Sequence, residues 1–193
     1  VICNMDVSAS MNKDKIEIAK SFFRLLRLFV AENYDEIAIR WVAHTTTAKE
    51  VSEEVFFNPR DQGGTLVSSC VVKDREVIER DFPPSEWNIY VAQASDGDNL
   101  ESDNPTLIKA LKDLLPHVQG YFYTEIKPGG QSYYYESSLL EIYQKLAEEF
   151  PDRMFTGELQ SPVDALEAFK RFFPQVGHKP GQPVHHTAAP APA

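Results

Sequence analysis

Residues 1–32, VICNMDVSASMNKDKIEIAKSFFRLLRLFVAE, hold a strand, a polar turn and a helix in immediate succession. Val1 to Val7 begins apolar and stops at a polar turn, as a buried parallel strand does. From Lys13 to Glu32, Ile16, Ala19, Phe22, Phe23, Leu26, Phe29 and Val30 recur at spacings of three and four, which predicts a helix. Its second half, SFFRLLRLFV, is apolar over much of its circumference, so it should lie heavily buried against a sheet.

The alternation continues along the chain. Ile37 to Ala43 reads as a second strand, and Val51 to Phe57 as a possible third at a sheet edge. After the Gly63-Gly64 break, Thr65 to Arg80 returns to helical spacing, and Pro83-Pro84 closes that region. Trp87 to Ala94 reads as a strand running into the turn Ser95-Asp96-Gly97-Asp98. Asn104-Pro105 offers an N-cap and a first-turn proline for a helix to about Leu115. Tyr121 to Ile126 is a strand, Leu139 to Leu146 a helix, and Met154 to Leu159 a short strand. Ser161-Pro162-Val163-Asp164 matches a capping box ahead of a last helix carrying Leu166, Phe169, Phe172 and Phe173. Strands alternating with helices predict an α/β fold, a Rossmann-like open and mostly parallel sheet with helices on both faces. We expect one domain over 1–173 and a disordered tail rich in Pro, Ala and His over 174–193, whose His178, His185 and His186 read as solvated bystanders.

Bulk properties narrow the function. The 42% apolar and 25% charged content is ordinary for a soluble globular protein. A net charge of −10 argues against nucleic acid as a partner, because that binding needs a basic surface. No basic amphipathic helix and no long apolar run point to a membrane. Cys3 and Cys70 read as small core residues suited to a reducing compartment, hence a cytoplasmic location, although a disulfide between them stays open. The chain opens without an initiator Met, directly in an apolar strand, and reads as a piece of a longer protein.

In an open α/β sheet, ligands gather beyond the C-terminal ends of the strands. Three polar clusters fall there: Asp6-Val7-Ser8-Ala9-Ser10, Gly63-Gly64-Thr65, and the turn containing Asp96. Alternate residues of an extended segment point the same way, so Asp6, Ser8 and Ser10 can converge on one centre. Two carboxylates and three hydroxyls form an all-oxygen set suited to a hard cation such as Mg²⁺, or Mn²⁺ or Ca²⁺.

As a set, DVSAS, GGT and SDGDN resemble the metal-ion-dependent adhesion site of von Willebrand factor A domains, a likeness covering about residues 1–173. In more detail, MDVSASM, FFNPRDQGGTLVSS and WNIYVAQASDGDN resemble the bacterial YeaH/YhbH family, associated with stress response and sporulation. The resemblance implies that Ser8 and Ser10 ligate a metal directly, that Asp6 and Asp96 act mainly through bound water, and that Thr65 binds directly in the ligand-engaged form. It also implies a protein partner whose Glu or Asp fills the last position, in a stress complex associated with a kinase, and we expect no catalysis.

Other features carry two readings each. Ser8, Ser10 and Thr65 could instead cap the helices that follow them, and Asp96 could hold a turn. His44, Thr45, Gly64, Asp98 and Asn99 read as a partner-binding rim, His44 titrating near neutrality or being an ordinary strand-end histidine. Asp98, Asn99, Glu101 and Asp103 form an acidic lip that is either a second cation site or a solvated loop. Tyr133, Tyr134 and Tyr135 could form a contact surface or pack on the loop before them. The alternative function is a Mg²⁺-dependent phosphoesterase or phosphotransferase using Asp6, but aspartyl-phosphate chemistry wants a second Asp two residues on, where Ser8 stands. No phosphate-binding P-loop or nucleophile elbow is present.

Overall fold

The computed structural model describes residues 1–60, 63–130 and 139–172. Six strands, β1 (Ile2–Asp6), β2 (Arg40–His44), β3 (Ala48–Val51), β4 (Tyr90–Ser95), β5 (Gly120–Ile126) and β6 (Met154–Leu159), form one sheet in the order β3-β2-β1-β4-β5-β6. All neighbours are parallel except β2 and the edge strand β3. The helices are α1 (Lys13–Asn33), α2 (Glu53–Phe57), α3 (Ser68–Asp81), α4 (Asn104–Leu114), α5 (Leu139–Glu149) and α6 (Asp164–Phe172).

Each sheet face has its own core. Cys3, Met5, Trp41, Ala92, Ala94 and Phe122 point toward α1, α2 and α6, where Phe22, Phe23, Phe56 and Phe172 close over them. Ile2, Val42, Val91, Tyr121 and Tyr123 point the other way, under α3, α4 and α5. Burial on both faces accounts for the near-continuous apolar runs of the central strands. Cys3 and Cys70 are free and lie in these separate cores, on opposite sides of the sheet, so the disulfide reading does not apply.

Local signals explain the element ends. Asn12 caps α1, its side chain accepting from Lys15 N at 3.0 Å. At α6 Asp164 Oδ2 accepts from the backbone N–H of Ser161 and of Gln160, the reciprocal half of the expected capping box, and regular helix begins at Asp164 itself.

Three expectations need correction. The edge strand is Ala48–Val51, and residues 53–57 form the short helix α2, because Ser52 caps that turn and Phe56 is drawn into the core against Trp41. Thr65 stands outside helix α3, which starts at Ser68. Asn104 is the first residue of α4, following a 3₁₀ turn over Glu101–Asp103, where it was expected as the cap. The expected tail over 174–193 and Tyr133, Tyr134 and Tyr135 lie outside the described residues.

Candidate metal centre

The chain runs from β1 to β2 on one side and returns to β4 on the other, so the ends of β1 and β4 flank a crevice where strand order reverses. Asp6 ends β1, and Asp96 directly follows the last residue of β4, Ser95. Parallel pairing of these two strands holds both carboxylates at the same end of the sheet.

Beyond β1 the backbone N–H of Ser8 donates to Asp6 Oδ1 at 2.8 Å, which curls the chain into a tight turn. The hydroxyls of Ser8 and Ser10 then lie 3.1 Å apart, brought together by this turn and not by the alternation of an extended segment, which ends at Asp6. Lys15 Nζ, reaching up from the first turn of α1, donates to Asp96 Oδ2 at 2.7 Å and to the carbonyl of Ser10 at 3.0 Å. The backbone N–H of Asp98 donates to Asp96 Oδ1 at 3.3 Å, and the Ser10 and Ser95 hydroxyls act to lower the pKa of Asp98 and of Asp6 respectively. Asp6, Ser8, Ser10, Asp96 and Asp98 therefore form one connected set. Thr65 is brought to its edge by backbone bonds on either side: Ala9 N donates to Gly63 O, and Leu66 N donates to Thr45 O, each at 3.0 Å.

Burial is the strongest influence on Asp6, pushing its carboxyl up to about 7; the Asp96 charge adds to the effect, and bonds from Ser8 and Ser95 oppose it. Asp6 Oδ2 is buried and has no hydrogen-bond partner. An anionic oxygen so placed needs a proton or a cation. The surrounding donors are carboxylates and hydroxyls, which fit a hard divalent ion. Among the described residues no group of three or more His, Cys, Asp or Glu side chains could hold a metal, so a cation here depends on the hydroxyls of Ser8, Ser10 and Thr65. A Mg²⁺ or Mn²⁺ ion held by these residues would supply Lewis-acid affinity for an incoming anion.

The rim residues are placed unequally. His44 is the register partner of Asp6, wholly buried, with neither ring nitrogen bonded, and burial pushes its pKa down to about 4. It is therefore neutral and walled off, which corrects both the expected partner contact and the expected titration near neutrality. Thr45 packs against Gly63, where an added Cβ would come within 3.3 Å of its own Cβ. Gly64 is exposed and Asp98 half-buried at the crevice edge. Asn99 is committed to structure, since Val67 N donates to its Oδ1 and its Nδ2 donates to Asn104 Oδ1. Asp103 accepts from both the backbone N–H and the hydroxyl of Ser68. Asn99 and Asp103 thus cap α3 from a distant segment, a task Thr65 does not perform. With Asp103 buried and engaged, the reading of the acidic lip as a second cation site loses its innermost member.

Two side chains at the site escaped the sequence reading. Glu125 is buried beneath the Asp96 turn, accepting from Tyr123 OH and from the N–H of Leu140, both at 2.9 Å, and pairing with Lys127. Lys15 is the other. Its signal was legible, because a cation in the first turn of a helix opposes the helix dipole and calls for a nearby anion.

Comparisons with known proteins bear on the family and on the fold. Residues 1–176 match the family described as "Protein of unknown function (DUF444)". A UPF0229 protein of Pseudomonas putida (strain GB-1) is 43% identical over 175 residues, covering 90% of this chain and 40% of the relative. A UPF0229 protein of Legionella pneumophila (strain Corby) is 41% identical over 174 residues, with the same coverage. The chain thus spans about two fifths of the length of these curated relatives. Among solved structures, the ArnB paralog VWA2 from Sulfolobus acidocaldarius superposes with a TM-score of 0.55 at 16% identity, over 84% of this chain and 41% of that one. Proximal thread matrix protein 1 from the mussel byssus gives 0.55 at 13% identity, over 89% and 44%. At such identities the structural likeness speaks for the fold, and the sequence match speaks for the family: the chain belongs to the DUF444 (UPF0229) family and has a von Willebrand factor A-like fold.

Proposed function

We propose that this domain is a divalent-cation-dependent protein-interaction module. Asp6, Ser8, Ser10, Thr65 and Asp96 hold Mg²⁺, or Mn²⁺ or Ca²⁺, and a Glu or Asp of a partner protein completes the coordination. The observation that carries this reading is Asp6 Oδ2, a buried carboxylate oxygen without a donor, at the strand-order switch and beside a second carboxylate and paired hydroxyls. Hydroxyl ligands are neutral, so the cation keeps charge with which to attract an acidic side chain. Of the rim positions Gly64 is exposed, and Thr45, Asp98 and Asn99 are half-buried. The family resemblance extends the proposal to a cytoplasmic bacterial stress or sporulation pathway with a kinase-associated complex. Among the described residues no helix is long and apolar enough to cross a membrane.

The test is thermal unfolding of chelator-treated protein with and without millimolar Mg²⁺ or Mn²⁺. A ligand that binds only the native state at a hundred times its Kd stabilises by about 2.7 kcal/mol, so the melting temperature should rise in the wild type and not in Asp6→Ala. No shift in the wild type would sink the reading. Pull-downs with and without chelator then identify the partner, and Asp6-dependent turnover of a generic phosphate ester would replace this reading with the phosphoesterase one.

A further inference from the structure

Lys15 is the unexpected resident of the site. Its side chain is 4% exposed and that of Asp96 1%, and they meet at 2.7 Å. Burying an ammonium carries a large desolvation cost, offset here by Asp96 and the Ser10 carbonyl. The first turn of α1 makes the position worse for a cation, since the helix N-terminus is itself the positive end of the dipole. A lysine held against both penalties is there for the carboxylate.

We infer that Lys15 is a tethered counter-cation, seated on Asp96 in the metal-free protein, that weakens divalent-cation binding at this site. The inference rests on the metal-site reading above and adds how that site is regulated. Asp96 Oδ2 is occupied by the ammonium, whereas Asp6 Oδ2 has no partner, so Lys15 covers one of the two motif carboxylates and leaves the other for the incoming ion. A divalent ion entering beside the ammonium meets a like charge in a poorly screened place, and one that displaces it strips a buried lysine of its partner. Counted formally, the carboxylates of Asp6, Asp96 and Asp98 against the Lys15 ammonium leave two negative charges, which one divalent ion balances. The loaded site is then neutral and does not repel an acidic partner. Without Lys15 it would hold its metal more firmly and present a net negative charge to that partner.

The experiment is calorimetric titration of Mn²⁺ into chelator-treated wild type, Lys15→Met, Lys15→Gln and Lys15→Arg. The two neutral variants should bind Mn²⁺ at least about ten-fold more tightly, as removing a unit charge beside a divalent ion requires, and Lys15→Arg should stay within about three-fold of wild type. Metal-free Lys15→Met should melt lower, with Asp96 left unpaired, and show the larger Mn²⁺-induced rise. Lys15→Gln can still donate to Asp96, and serves if the Met variant does not fold. Wild-type Mn²⁺ binding with unchanged or weaker binding in the neutral variants overturns the role of Lys15 and leaves the metal site standing. Absence of Mn²⁺ binding in all four proteins overturns both.

Discussion

Asn4 on β1 donates from Nδ2 to Asp74 Oδ2 on α3 at 2.7 Å, and the remaining oxygens of the two side chains, Asn4 Oδ1 and Asp74 Oδ1, are both buried without a donor. The pair ties the strand that ends in Asp6 to the helix that follows Thr65. Burial holds the Asp74 carboxyl well above the usual carboxylate range, with the Asn4 bond opposing. The native state therefore keeps its proton at pH values where the unfolded chain has released one. Stability contributed at low pH is lost as pH rises above the ordinary value of 3.8, at up to about 1.4 kcal/mol per pH unit. Asp74→Asn keeps the acceptor for Asn4 and adds a donor for Asn4 Oδ1. It should increasingly exceed wild type in stability between pH 5 and 8, measured by urea unfolding at each pH. Equal pH slopes for the two proteins would refute this account of the pair.

Gly97 sits at φ +90°, a backbone conformation that favours glycine, and a Cβ there would lie 2.7 Å from the Glu125 carboxylate carbon. Gly97→Ala should cost about 1–3 kcal/mol and displace Asp96, its neighbour, lowering the metal-induced rise in melting temperature. Adding Glu125→Ala removes the clash and leaves the backbone penalty, so the double variant should lose less than the sum of the single losses. Strict additivity would show that the two residues do not press on each other.

The N-terminus of α3 is satisfied by Asn99 and Asp103 from across the crevice. Asp103→Ala should lower stability by about 1–2 kcal/mol, the typical loss of a helix cap, and loosen the start of α3 beside Thr65. Denaturant unfolding checks the first effect. Hydrogen exchange at Ser68 and Ser69 checks the second, faster exchange being the expected outcome.

α6 is held to the sheet through Phe172, whose ring meets Phe22 at 6.0 Å and Phe122 at 5.2 Å. Phe22→Ala, in the middle of that core, should cost about 3–5 kcal/mol. Phe172→Ala should expose α6 amides selectively while β1 and β4 stay protected. Uniform loss of protection in Phe172→Ala would mean that α6 does not detach by itself.

Much of the frame was legible residue by residue. Apolar spacing in α1 and the buried runs of β1, β4 and β5 announce themselves because each pattern repeats within a few residues. The misread segment, 51–57, failed for the opposite reason. Two adjacent phenylalanines and two valines satisfy strand and helix templates alike over so short a run, and the Ser52 cap with its Glu53-Glu54 start decided for the helix. His44 was placed correctly at a strand end, yet its burial depends on what packs over it, and no local pattern records that.

By itself, the sequence determined the alternation of strands and helices, and it placed Asp6, Ser8 and Ser10 within one short segment at a strand end, where the Asp6–Ser8 turn draws the two hydroxyls together. Only the tertiary structure decided which groups answer the buried charges. Lys15 meets Asp96 across 81 positions, Val67 meets Asn99 across 32, and Ser68 meets Asp103 across 35. Such pairs are selected by desolvation, which punishes any unpartnered charge or amide whatever its place in the chain, so their logic appears only after the sheet has brought its loops to one end.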